Sequence, residues 1–293
     1  MQKIVAIVGP TAVGKSALAV EVARLFNGEV VSVDSRQVYR GLDIGSGKIG
    51  QKEMRGVPHH LLDVASPSRQ FSAALYRELA EKRIREILVR GRIPIICGGT
   101  GLYLDVLSGR IQIPDVPPNP TLRKRLSAKT AQELCALLTQ LDPRRAKTID
   151  AQNPRRLIRA IEIACFGSVP PSHHSHILQN VRMIGLVLPP LELRKNIRAR
   201  LASRMKKMIA EVKRLHARGL SWRRMEELGL EYRYLSRYLR GMLTKDKMTE
   251  RLQTEIWRYA KRQMRWFRRN PEIRWFEPDE KRKIYAMIRR TGL

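Results

Sequence analysis

Two hydrophobic patterns alternate along the chain. Ile4-Val5-Ala6-Ile7-Val8 is a short apolar, β-rich run closed by Gly9, which predicts a buried strand. From Ser16 to Phe26 the spacing becomes helical, with Leu18, Val22 and Leu25 on one face. Glu29 to Val33 predicts a second strand, ending at Asp34. Ser72 to Arg90 predicts a helix that turns Leu75, Leu79, Ile84, Ile87 and Leu88 to the core. Ile93 to Cys97 predicts another strand, followed at once by Gly98-Gly99-Thr100-Gly101. Strands and helices that alternate in this way predict an α/β domain with a parallel sheet. Such sheets bind ligands beyond the carboxyl ends of their strands, and the polar clusters 9–16, 34–39 and 98–101 all sit there.

Pro114-Asp115-Val116-Pro117-Pro118-Asn119-Pro120 breaks the pattern and predicts a domain exit. Residues 121–166 are helical in pattern, and Pro170-Pro171-Ser172-His173-His174-Ser175-His176 predicts a loop. Met183 to Leu188 predicts a strand returning to the sheet, and from Leu191 onward nearly everything predicts helix. Ile197, Leu201, Met205, Ile209, Val212 and Leu215 mark the apolar face of one such helix, whose opposite face is strongly basic. The organisation expected is a core over 1–115, a small helical insertion over 116–180, and a return strand with basic helices over 181–293.

Charge separates these regions. The net charge is +30 from 57 Lys+Arg and 27 Asp+Glu, which predicts a polyanionic partner. Residues 1–115 hold 16 basic and 11 acidic side chains, whereas 116–293 hold 41 and 16, so the second part is the basic companion of an ordinary domain. A hydrophobic fraction of 43% excludes a disordered polyelectrolyte. No run approaches the roughly 18 apolar residues of a membrane span, and no secretory signal precedes the first strand. Cys97, Cys135 and Cys165 are far apart, which argues against a disulfide framework or a structural zinc site and fits a reducing cytosol. His173, His174 and His176 lack partnering ligands and predict solvated loop residues.

Gly9-Pro10-Thr11-Ala12-Val13-Gly14-Lys15-Ser16 matches G-x-x-x-x-G-K-[ST] between a buried strand and a helix. Its backbone N–H groups and the helix amino terminus suit a di- or triphosphate. Lys15 adds a full charge, and Ser16 can ligate Mg²⁺. The fold class expected is therefore a P-loop NTPase-like parallel sheet core with a small helical insertion and a basic helical carboxyl region.

Beyond the phosphate loop, Asp34-Ser35-Arg36-Gln37-Val38-Tyr39-Arg40-Gly41-Leu42-Asp43-Ile44-Gly45-Ser46-Gly47-Lys48 follows the second strand. Together the two segments resemble the tRNA dimethylallyltransferases, whose pattern is G-P-T-A-x-G-K-[ST] and then D-S-x-Q-x-Y-x-G-x-D-I-G-[ST]-x-K. The resemblance continues in order through Pro58-His59-His60-Leu61-Leu62-Asp63, Phe71-Ser72, Gly91-Arg92-Ile93-Pro94 and Gly98-Gly99-Thr100-Gly101-Leu102-Tyr103. It resumes at Asn153-Pro154-Arg155-Arg156-Leu157 and Arg159-Ala160-Ile161-Glu162, and again at Lys261-Arg262-Gln263-Met264-Arg265-Trp266-Phe267-Arg268. It implies transfer of a dimethylallyl group from dimethylallyl diphosphate to adenine N6 just 3′ of the anticodon in tRNA, with Mg²⁺, by a cytoplasmic monomer. Neither a transit peptide nor the zinc finger of the family's eukaryotic members is recognisable, so a bacterial enzyme is expected.

The resemblance also assigns residues. Asp34 is the base for N6–H, in preference to a turn cap or a Mg²⁺ ligand. Thr100 contacts the diphosphate, in a position where Thr also commonly caps a helix. Arg200 matches the second arginine of an R-I-x-x-R element, although Asn196 stands where the first would be. Ser35, Arg36, Gln37, Arg155, Arg156 and Arg159 are expected to meet tRNA, as are Lys261, Arg262, Arg265, Trp266 and Arg268, with Trp266 at least partly in the core. Two further departures are a short 121–150 segment and Gly229-Leu230-Glu231-Tyr232-Arg233 in place of Gly-Tyr-x-[EQ]. A small-molecule kinase and an adenylate isopentenyltransferase would share the loop but have no use for the basic carboxyl region. A non-catalytic RNA-binding protein would not need Lys15, Ser16, Asp34 and Thr100 together.

Overall fold

The computed structural model describes residues 4–167, 177–178 and 181–289. The chain divides into one unit of Met1–Ile111 with His176–Leu293 and a second of Gln112–Ser175. The first unit begins with β1 (Ile4–Val8), α1 (Lys15–Leu25), β2 (Gly28–Ser32), α2 (Gln51–Met54), β3 (His59–His60), α3 (Ala73–Val89), β4 (Ile93–Cys97) and α4 (Gly101–Leu107). The second holds α5 (Pro120–Leu126), α6 (Ala131–Leu141), α7 (Pro143–Thr148) and α8 (Pro154–Phe166). The first unit resumes with β5 (Val181–Leu186), α9 (Pro190–Ala217), α10 (Trp222–Glu227), α11 (Leu230–Leu239), α12 (Lys245–Phe267), β6 (Arg274–Phe276) and α13 (Lys281–Arg289).

Six parallel strands are ordered β3-β2-β4-β1-β5-β6. β1 lies between β4 and β5 and is covered by helices on both faces, and this is why its sequence is continuously apolar. Val5 and Ile7 pack into the core shared with α1, α9, α11 and α12. Ile4, Ala6 and Val8 pack with α3, α4 and Phe267 on the other side. The alternation of one strand thus serves two cores. Among the described residues no helix is long and apolar enough to cross a membrane.

Several expectations change. β5 starts at Val181 rather than Met183, and the short β6 pairs with it in register Ile184 to Arg274 within a carboxyl region that is otherwise largely helical, as expected. Leu25 is 57% exposed, because the buried face of α1 ends a turn earlier at Val22 and Ala23. On α3 the buried line is Tyr76, Ala80, Ile84 and Ile87, which leaves Leu75 exposed. Tyr76 takes that place because its hydroxyl donates to Ser32 O at 3.1 Å, which makes burial of a phenol affordable. His173, His174 and His176 lie outside the described residues.

Glu211, on the buried face of α9, organises the segment after β2. Its carboxylate accepts the N–H groups of Asp43 (3.0 Å), Ile44 (2.8 Å) and Gly45 (3.0 Å), and the Tyr232 hydroxyl (2.8 Å). It is 1% exposed, so these four donors stand in for water. Nothing in the polar spacing of α9 distinguishes Glu211 from the helix's other charged residues.

In the second unit, Asn119, Asp142 and Asn153 each cap a helix that has Pro in its first turn. Buried Glu162 ties α8 to α5, accepting from Arg123, the Asn119 N–H and Arg159. Burial alone would raise its carboxyl pKa, but Arg123, Asn119 and Arg159 outweigh this and hold it at about 2, against an ordinary 4.5.

A carboxyl group depressed on folding stabilises above its unfolded pKa and loses that contribution as pH falls through the folded one. Acid unfolding of the second unit, followed by amide exchange in α8, should therefore show about 3 kcal/mol of stability disappearing between pH 4.5 and about 2. Glu162→Gln should flatten that dependence. Glu211→Ala should lower urea stability by about 3 kcal/mol, and Tyr232→Phe by about 1 kcal/mol.

Candidate active site

The carboxyl ends of β1, β2 and β4 bring three loops into contact. Val33 N–H donates to Cys97 O (2.8 Å), Thr100 N–H to Val33 O (3.0 Å) and Gly98 N–H to Ile7 O (3.3 Å). Two glycines are required by this packing. Gly9 has φ +138°, and a Cβ there would lie 2.5 Å from Leu186 O. A Cβ on Gly98 would lie 2.4 Å from Val33 O.

The phosphate loop leads directly into α1 at Lys15. Lys15 Nζ donates to Pro10 O at 2.6 Å. Burial lowers the Lys15 pKa to about 8; Cys97 and Asp34 oppose the shift, while Arg200 reinforces it. Burial likewise pushes the Cys97 thiol up to about 11. Ser16, exposed in the first turn of α1, lines a cavity of about 540 Å³ with Lys15, Lys48, Arg55, Arg200 and Arg204. Among the described residues no three His, Cys, Asp or Glu side chains converge as a metal cage. The Ser16 hydroxyl beside the phosphate loop could give one oxygen to a Mg²⁺ ion that takes its remaining ligands from water and phosphate.

Asp34 follows β2, and its Oδ1 accepts the Arg36 N–H at 2.8 Å. One carboxylate oxygen thus caps the turn, and among the described residues nothing donates to Oδ2. Asp34 lies close enough to Lys15 and Arg200 to raise the proton affinity of both. Thr100 occupies the N-cap position of α4 without a side-chain capping bond. Its Oγ1 instead accepts the Ser35 N–H at 2.9 Å and approaches Ser35 Oγ at 3.4 Å. Asp34 and Thr100 are therefore joined through Ser35. Arg200 reaches in from α9 and donates to Thr11 Oγ1 at 3.2 Å. Glu231, at the start of α11, faces the same group; burial pushes its carboxyl pKa up, and Arg200 draws it back.

The residues expected at a tRNA surface divide into two sets. Lys261, Arg262, Arg265 and Arg268 are exposed on the side of α12 opposite its buried face of Met248, Leu252, Ile256, Ala260 and Phe267. Arg155 and Arg156 are exposed in the first turn of α8. Three others are occupied internally. Gln37 accepts from Ser32 Oγ (3.0 Å) and donates to Gly47 O (3.4 Å). Arg159 holds Glu162 and Val116 O. Trp266 Nε1 donates to Asp105 at 2.9 Å, with Arg269 4.3 Å above its ring.

Gln263 escaped the sequence reading as a site residue. It is 5% exposed on α12, accepts the Thr11 N–H at 2.8 Å and donates to Gly99 O at 2.9 Å. A glutamine among Lys and Arg on a helix reads as solvated; the one available signal was its place on the buried repeat from Ile256 and Ala260 to Phe267.

The chain is similar to known proteins over nearly its whole length. The IPP transferase family model matches residues 37–270. The tRNA dimethylallyltransferase of Anoxybacillus flavithermus is 40% identical over 94% of this chain and 90% of its own length. The tRNA dimethylallyltransferase 1 of Hahella chejuensis is 42% identical over 94% and 92%. The crystal structure of a full-length tRNA isopentenylpyrophosphate transferase from Bacillus halodurans superposes with a TM-score of 0.73 at 37% identity, covering 100% of this chain and 98% of that one.

Gln263→Leu should uncouple the two loops. Hydrogen exchange is expected to show the Thr11 amide losing at least tenfold protection while amides in the middle of β1 hold theirs. Unchanged Thr11 protection would mean that the loop keeps its shape without the bridge.

Proposed function

The chain belongs to the IPP transferase family, and on that premise we propose that it transfers a dimethylallyl group from dimethylallyl diphosphate to adenine N6, just 3′ of the anticodon in tRNA. The observation that carries this reading is Asp34 and Thr100, joined through Ser35 at adjacent strand ends beside the phosphate loop and Arg200. A kinase would use the same loop, but the exposed cations of α12 and α8 suit an RNA partner.

The loop amides, Lys15 and Arg200 hold the diphosphate and offset the negative charge that grows as the C–O bond breaks. Thr100 Oγ1 accepts from Ser35 N–H, and its own proton makes only a long 3.4 Å bond to Ser35 Oγ, which it exchanges for a hydrogen bond to the leaving oxygen. Asp34 Oδ2 accepts the N6 proton as the new C–N bond forms, while Oδ1 stays fixed by Arg36 N–H. The carbon moves from oxygen to nitrogen, the proton moves to Asp34, and diphosphate leaves. Mg²⁺ bound at Ser16 supplies further charge neutralisation to the diphosphate.

The adenine must leave its stack to reach Asp34. Ser35 and Arg36 flank it there, while Lys261, Arg262, Arg265 and Arg268, with Arg155 and Arg156, attract the tRNA backbone. The enzyme works as a cytoplasmic monomer.

Radiolabelled dimethylallyl diphosphate, Mg²⁺ and unmodified tRNA should give label on adenine N6 of tRNA, and none on AMP or ATP offered in parallel. Label on free nucleotides alone, or none at all, would overturn the reading. Asp34→Ala should lower turnover by at least about 10²-fold while leaving inorganic pyrophosphate binding within twofold. Replacing Arg262, Arg265 and Arg268 by Ala together should weaken tRNA binding and reduce its log–log salt slope by about three.

A further inference from the structure

Of the cations that line the cavity above the phosphate loop, the roles above use Lys15 and Arg200, and Lys48 is paired with Asp43 and Asp63. Asn196, Arg200 and Arg204 stand at steps of four on α9, share a face, and all line this cavity. The two guanidinium groups converge on Gly47: a Cβ there would lie 1.7 Å from Arg200 Nη2 and 3.0 Å from Arg204 Nη1. Arg200 has Thr11 Oγ1 as a partner. Arg204 Nη1 is buried and meets no acceptor from the protein, and among the described residues no other buried side-chain nitrogen or oxygen is left so.

The acidic groups nearby do not answer it. Glu231 borders the adjoining pocket with Arg200 and Arg204, and Glu53 lines the main cavity, yet neither reaches either arginine as an ion pair. Lys15 and Arg55 add positive charge to the same wall. A buried donor left unmade is costly, and placing it beside a like charge adds to the cost. The arrangement is balanced only when an anion with several acceptor oxygens enters.

We propose that Arg204 is a second guanidinium for the diphosphate, gripping its non-bridging oxygens together with Arg200. This rests on the reading that the cavity takes a prenyl diphosphate. The sequence shows the same displacement of charge. Where the R-I-x-x-R element would carry its first arginine, this chain has Asn196, and the second guanidinium appears one turn beyond Arg200 instead of one turn before it.

The test uses the full chain with Arg204→Met and Arg204→Lys. Inorganic pyrophosphate binding is measured by calorimetry with Mg²⁺, KM for dimethylallyl diphosphate and for tRNA in the transfer assay, and melting temperature with and without pyrophosphate. Arg204→Met should weaken pyrophosphate binding and raise the dimethylallyl diphosphate KM at least tenfold, about 1.4 kcal/mol, with the tRNA KM unchanged. Its melting temperature without pyrophosphate should hold or rise, since the unmet donor is gone, while the stabilisation by pyrophosphate shrinks. Arg204→Lys, which keeps the charge, should lose less. Wild-type affinity in Arg204→Met overturns the proposal, and so does a fall in its ligand-free melting temperature that accounts for the lost binding. A wild-type protein that neither binds pyrophosphate nor transfers the prenyl group overturns the proposed function, and this inference with it.

Discussion

The side-chain amide of Gln263 is the contact on which the candidate site depends. The loop after β1 and the loop after β4 each leave a backbone group that no strand partner can meet. One is the Thr11 N–H, the other the Gly99 carbonyl, and one amide satisfies both. Such groups must be paired when buried. A carboxamide does this with one acceptor and one donor and adds no charge to a region already crowded with cations. Through it α12 becomes part of the phosphate loop, although the helix is far removed in sequence and carries the basic surface on its other side.

The same economy governs the charges. Where a carboxylate is buried for structure, as at Glu211 and Glu162, it is surrounded by donors and satisfied. Where cations gather at the phosphate loop, Lys48 is paired with Asp43 and Asp63, but Lys15 and Arg200 hydrogen-bond to neutral oxygens and Arg204 Nη1 meets no acceptor. The depressed Lys15 ammonium and the bare Arg204 Nη1 express the same imbalance. A structure that completes its internal pairs elsewhere and leaves these incomplete concentrates its electrostatic cost where a polyanion can offset it.

Much of this was legible in the residues. β1, the phosphate loop and β4 followed from apolar runs and a spacing that has few other solutions. The strand ends marked the segments 34–39 and 98–101, and it was the family resemblance that singled out Asp34 and Thr100 within them. Other parts depend on tertiary context. Gln263 has only its place on the buried repeat of α12 to set it apart from solvated neighbours, and the roles of Gln263 and Glu211 come from distant backbone. Tyr76 displaced Leu75 from the core because a carbonyl on another strand accepted its hydroxyl. β6 is three residues long and exists by pairing with β5, which no short-range pattern could announce. Arg159 and Gln37 kept their predicted segments but spend their hydrogen bonds inside the protein.

The 252 residues between Thr11 and Gln263 have a consequence for synthesis. The phosphate loop leaves the ribosome well before its bridging amide. At roughly 5–20 residues per second, tens of seconds separate them. Until Val181–Leu186 is made β1 also lacks β5, and until Gln263 is made the loop lacks its bridge to Gly99. The bridged form of the loop therefore arrives only after Gln263 has been made. An unfinished chain, however basic, cannot hold that loop as the mature protein does.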